Sequence, residues 1–155
     1  MQRKQYAKVV PGKNASRLSV GIVVSSFNSD ITDGMLAGAK ETLALWRVQS
    51  KNIQLVRVPG SFELPFGCLS LLTKKKKPDA IIALGCVIKG ETEHDRYIAS
   101  AAATGIMDLS LRYHVPISFG VITTNNLAQA RLRSRGKANK GHEAAVAALE
   151  LALLP

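Results

Sequence analysis

Two periods of hydrophobicity take turns along this chain. Residues 18–25, LSVGIVVS, form a short β-rich apolar run, and residues 52–58, NIQLVRV, alternate as a strand does. Residues 79–88, DAIIALGCVI, are the most hydrophobic run, the pattern of a central strand covered on both faces. Residues 117–123, ISFGVIT, complete the set. Between these runs the spacing is helical. Over residues 30–46, Ile31, Met35, Leu36, Ala39 and Leu43 share one face. Ser61 opens an apolar helix reaching about Thr73, with Pro65 tolerated near its start. A long helix runs from about Glu93 to Tyr113. Asn125 or Asn126 can cap a short helix to about Ser134, and Asn139 can cap the last one, GHEAAVAALELALL.

Strands alternating with helices imply parallel strands joined by right-handed crossovers, with helices on both faces. The expectation is an α/β fold: a three-layer αβα sandwich around a four-stranded parallel sheet in the order 2-1-3-4, flavodoxin-like. One domain over residues 1–155 accounts for the chain, with residues 1–17 as a loose basic arm. In such sheets, ligands sit outside the carboxyl ends of the strands.

Charge and composition narrow the partners. The net charge of +10 favours anions: phosphorylated metabolites, nucleic acid or anionic surfaces. The densest cluster, the lysines at 74–77, has no interleaved aromatics, so it reads as a solvated loop and no specific nucleic-acid role is expected. No apolar run approaches the roughly 20 residues of a membrane span, and the basic N-terminus lacks the apolar core of a secretory signal. No membrane association is expected, and the cytoplasm is the expected location. Cys68 and Cys86 lie far apart in apolar surroundings and read as buried small hydrophobes. The three histidines lack metal-binding spacing, and neither GxxxxGK[ST] nor GxGxxG occurs.

The segments that follow the strands carry the chemistry. They are Ser26-Phe27-Asn28, Pro59-Gly60-Ser61-Phe62-Glu63, Lys89-Gly90-Glu91-Thr92-Glu93-His94, and Thr123-Thr124 with Phe119 slightly earlier. All four are expected on one rim. Gly90 allows a tight turn, and the helix beyond it offers free N–H groups and a positive dipole end to a phosphate. Thr92 adds a hydroxyl. His94, expected one helical turn further in, is placed for general acid–base work. Glu63 can accept from a ring N–H, and Phe27 and Phe119 offer faces to a flat heterocycle. Bland readings stand beside these. Glu91, Thr92 and Glu93 also suit a plain helix start, His94 a surface position, and the phenylalanines a core. His114 and His142 read as structural.

VPGSFELP (58–65), LGCVIKGETEH (84–94), FGVITT (119–124), QARLR (129–133) and NKGHEAA (139–145) together resemble the lumazine synthase family, in order and in register over almost the whole chain. That resemblance implies condensation of 5-amino-6-(D-ribitylamino)uracil with 3,4-dihydroxy-2-butanone 4-phosphate, without metal or organic cofactor. It implies that Phe27 stacks on the pyrimidine, and that Ser61, Phe62 and Glu63 line the pyrimidine and ribityl pocket. Cys86, Val87 and Ile88 offer backbone contacts to the ring. Glu91, through its backbone, and Thr92 lie at the phosphate, and His94 shuttles protons. Phe119 and Arg133 come from a neighbouring subunit, Arg133 gripping the phosphate with Lys140 near the same anion. It also implies a homopentamer or multiples of it, up to icosahedral shells, and a functional link to riboflavin synthase. Ser26 departs from the family's usual basic residue, and Asp95-Arg96 replace an aromatic and an acid after the histidine. Two alternatives remain open. One is a riboflavin synthase of archaeal type with the same fold, and the other a noncatalytic flavin or anion-binding module.

Overall fold

The structure, a computed structural model, describes residues 13–155. Four strands, β1 (Val20–Ser25), β2 (Ile53–Val58), β3 (Ala80–Ile88) and β4 (Ile117–Thr124), form one sheet in the order β2-β1-β3-β4. All pairings are parallel. The connecting helices are α1 (Ser29–Leu45), α2 (Leu64–Leu72), α3 (His94–Tyr113), α4 (Leu127–Arg133) and α5 (Lys140–Ala152). This is the three-layer sandwich and strand order that the sequence predicts.

The two-residue period of the central strands divides the core. Val20, Ile22 and Val24 of β1, with Ala80, Ile82, Leu84 and Cys86 of β3, point to a layer built by α1 and α5. Val23 of β1, with Ile81, Ala83 and Val87 of β3, points to the opposite layer under α2 and α3. Because β3 is sandwiched, Ala80 to Val87 are all buried, which is why its sequence reads as a continuous apolar run. The face read from α1 packs as expected: Ile31, Met35, Leu36, Ala39 and Leu43 are buried. By contrast, only Ala102 and Ile106 of the twenty residues of α3 are buried.

Asn139 joins α5 to α1. Its side-chain oxygen accepts from the Gly141 N–H at 2.8 Å, capping α5. Its amide donates to the carbonyls of Gly34 at 2.8 Å and Ser134 at 2.9 Å. A Cβ on Gly38 would run into this amide at 2.5 Å, and one on Gly141 into the Met35 carbonyl. The short helix α4 is capped by Asn126, which accepts from Gln129 N–H at 2.9 Å.

Two local expectations change. Residues 1–12 of the expected arm lie outside the described residues, but the remainder is not loose. Ala15 is buried, and its N–H donates to the Trp46 carbonyl at 2.9 Å, tying the chain down ahead of β1. Ser61 begins a 3-10 turn over Ser61–Glu63, and the α-helix proper starts at Leu64 with Pro65 in its first turn.

Candidate active site

Three strands deliver their C-terminal ends to a single open cleft of about 750 Å³. From the segment after β1 come Phe27 and Asn28, and from that after β2 come Pro59 to Glu63. The end of β3 contributes Cys86, Val87 and Ile88, followed by Gly90 and Thr92. The first two turns of α3 close one side with His94, Asp95, Tyr97 and Ile98.

The backbone holds the first two segments together. Ser26 and Phe27 N–H donate to the carbonyls of Val58 and Pro59 at 2.8 and 2.9 Å, continuing the β1–β2 ladder past the strand ends. Asn28 then takes a left-handed conformation, φ 58, that asparagine tolerates better than most residues. Its side-chain amide donates to the Cys86 carbonyl at 3.3 Å, linking the turn after β1 to β3 across the cleft floor. Phe27 and Phe62 are left largely solvent-facing, 70% and 59% exposed, and both line the cleft.

The polar groups of the cleft have spare bonding capacity. Ser61 is buried, yet its hydroxyl has no hydrogen-bond partner among the described residues. It stands against β3 where a Cβ on Gly85 would meet Ser61 Oγ at 2.5 Å, so glycine there makes its space. Leaving such a group unpaired is costly, and because Ser61 Oγ is sealed from solvent a ligand pairs it only if the side chain turns into the cleft. Glu63 is half-buried above the turn, with Oε2 over Gly60. Cys86 lines the wall as a thiol pushed up to about 11 by burial, with a smaller contribution from Asp30, and so stays neutral.

The turn between β3 and α3 differs from the expectation in two respects. Gly90 is not left-handed, and a Cβ there would meet nothing within 4 Å, so neither backbone nor packing within this chain requires glycine. The space beside it is open. His94 is the first residue of α3, not a residue one turn in, because Glu91 to Glu93 stay outside the helix. Its N–H faces Thr92 Oγ1 at 3.4 Å, a loose cap that leaves the hydroxyl available. Among the described residues the imidazole has no partner, and it faces the cleft.

The fourth segment does not join the rim. Thr124 stays paired to β3, accepting from Lys89 N–H at 2.8 Å, while its hydroxyl turns toward Asn126 at the start of α4. Phe119 lies mid-strand opposite Ala83, on the same sheet face as Ile117 and Val121, and is 45% exposed. Arg133 ends α4 and donates to the Gln129 carbonyl at 3.0 Å. Lys140 is engaged by Glu143 at 2.6 and 2.7 Å. Neither cation lines the cleft, nor does Glu91. The lining of this cleft contains no lysine and no arginine.

Two contributors, Tyr97 and Ile98, went unremarked in the sequence reading of the site, and Asn28 and Asp95 stood there without a role. Asn28 acts through a contact 58 residues away, which no local pattern reveals. Tyr97 and Ile98 stand three and four positions after His94, so helical spacing alone could have placed them beside it. Asp95 is adjacent to the histidine in the same turn. His114 and His142 are structural here. His114 is the left-handed C-cap of α3, and His142 bridges α5 to Thr42 at 3.0 Å and Glu41 at 3.5 Å on α1.

Known sequences match this chain over nearly its full length. The profile of the family described as 6,7-dimethyl-8-ribityllumazine synthase matches residues 17–155. A 6,7-dimethyl-8-ribityllumazine synthase of Parabacteroides distasonis is 45% identical over 139 residues, covering 89% of this chain and 86% of that protein. Those of Christiangramia forsetii and Cytophaga hutchinsonii are each 44% identical, covering 97% and 94% of this chain and 89% and 91% of their own lengths.

Proposed function

The chain belongs to the 6,7-dimethyl-8-ribityllumazine synthase family, and from that premise we propose how its cleft works. It is a transferase of riboflavin biosynthesis. It condenses 5-amino-6-(D-ribitylamino)uracil with 3,4-dihydroxy-2-butanone 4-phosphate to give the lumazine, phosphate and water. The archaeal-type riboflavin synthase and the noncatalytic module considered from the sequence are not favoured.

The pyrimidine enters between Phe27 and Phe62, where two aromatic faces cover a flat ring. The backbone of Cys86, Val87 and Ile88 borders its edge, Glu63 accepts from a ring N–H, and the unpaired Ser61 hydroxyl pairs with the ring or the ribityl chain. The phosphate of the second substrate sits at the turn of Glu91 and Thr92, beside the free N–H groups that open α3. The amine then attacks the ketone within one cleft. Holding two already reactive partners together supplies most of the acceleration. His94, at the mouth of α3, carries protons during Schiff base formation, phosphate loss and ring closure.

One observation carries the account further. A dianionic substrate is bound in a cleft whose own lining offers no lysine or arginine. Within the chain, Arg133, Lys140 and Phe119 lie elsewhere, with Phe119 exposed on the edge strand β4. We therefore assign these residues to the cleft of a second copy, with Arg133 forked onto the phosphate. The poorly buried α3, with Tyr97, Met107 and Leu111 exposed at 72%, 58% and 67%, supplies apolar surface for that contact. A closed ring, a homopentamer or its multiples, follows as the proposed assembly. A single domain over 1–155, a cytoplasmic location and a hand-over of product to riboflavin synthase complete the proposal. Among the described residues no helix is long and apolar enough to cross a membrane.

Purified protein is mixed with both substrates, and lumazine absorbance is followed against a protein-free control. Saturable acceleration with one phosphate released per lumazine is expected. Folded protein that gives no acceleration over the control would refute the assignment.

A further inference from the structure

Asp95 is the cleft carboxylate that the reaction as described leaves without a task. It lies in the first turn of α3, half-buried, on the cleft wall beside His94. Three carboxylates crowd this turn, Glu91, Glu93 and Asp95, and only Asp95 lines the cleft. Glu93 is drawn outward by Arg96 at 3.0 Å. Among the described residues Asp95 makes no ion pair and no side-chain hydrogen bond, so its charge is not neutralised by this chain. An acid in the first turn of a helix interacts favourably with the positive end of the helix dipole. A phosphate at the same turn would draw on that same partial charge. The two anions therefore compete for one electrostatic feature and repel each other across a partly solvated gap.

We propose that Asp95 sets the affinity of the phosphate end of the cleft by like-charge repulsion. It weakens the hold on the phosphorylated substrate and hastens departure of inorganic phosphate once that group has been eliminated. The proposal rests on the reading of the turn at residues 90–94 as the phosphate site. Asp95 touches no bond that is made or broken, so it governs binding and release, and it stands where the family commonly has an aromatic residue.

The test compares Asp95→Asn and Asp95→Ser with Asp108→Asn, an exposed position further along α3 that makes the same change in net charge. Inhibition by inorganic phosphate and KM for the phosphorylated ketone are measured at low and high salt. Both neutral variants at 95 should be inhibited about three- to tenfold more tightly, with a lower KM and an effect that shrinks as salt screens it. Asp108→Asn should behave as the parent. Unchanged or weaker inhibition in both position-95 variants, or an equal gain in Asp108→Asn, overturns the role of Asp95. If Thr92→Val and Arg133→Ala still weaken phosphate inhibition in that case, the phosphate turn stands without it. Inhibition indifferent to Thr92→Val and Arg133→Ala removes the phosphate turn, and this proposal with it.

Discussion

His94 earns its place by position. It heads α3, faces the cleft and has no competing partner among the described residues. A proton shuttle of this kind contributes less than the pairing of two reactants, so His94→Ala should lower kcat by about 10- to 100-fold with little change in either KM. Steady-state kinetics with each substrate varied checks this, and an unchanged kcat would take His94 out of the mechanism. The two thiols are inert for a different reason. Burial pushes Cys68 from 9.0 up to about 12, so the folded chain keeps that proton longer than the unfolded chain does. Stability from this source is therefore complete below about pH 9 and falls as pH rises toward 12, by about 1.4 kcal/mol per unit at most. Urea unfolding of the parent and Cys68→Ala across that range should show the parent's advantage shrinking with pH. An advantage that stays constant would contradict the shift.

Asn139 shows how much of an element's stability can rest on one side chain. It caps α5 and also satisfies two carbonyls, at Gly34 in α1 and at Ser134 after α4. Asn139→Ala should cost about 2–3 kcal/mol in urea unfolding, a lost cap plus buried carbonyls without a donor. Asn139→Asp keeps the cap oxygen but turns a carboxylate toward those carbonyls, so it should be no milder. A milder effect would place the energy in the cap alone. The cap itself was legible as an asparagine before an apolar helical repeat, but its grip on α1 was not, because that contact spans 105 residues. The same division runs through the strands. β3 was readable because burial on both faces removes polar residues from it entirely. From residue types alone the exclusion of β4 from the cleft was not readable, since the threonines look like pocket residues until their pairing is known, and only the resemblance sent Phe119 to a neighbouring subunit.

For the whole molecule, the sheet order and the use of strand carboxyl ends followed from the alternation of elements, and three of the four loops do converge. Periodicity and residue type alone do not display where the missing cation comes from, and only the family resemblance pointed to Arg133 of a neighbouring subunit. The cleft has aromatic walls, an unpaired serine and a histidine, while the arginine suited to a phosphate ends a different helix. The proposed working site combines the cleft of one copy with Arg133 of the next. Its most direct test co-expresses two impaired chains, one carrying Phe27→Ala with His94→Ala, the other Arg133→Ala. In randomly mixed rings about a quarter of the interfaces pair an intact cleft with an intact arginine, so about a quarter of parental activity should return. Activity no greater than the average of the two chains measured alone would mean that each cleft is complete within its own subunit.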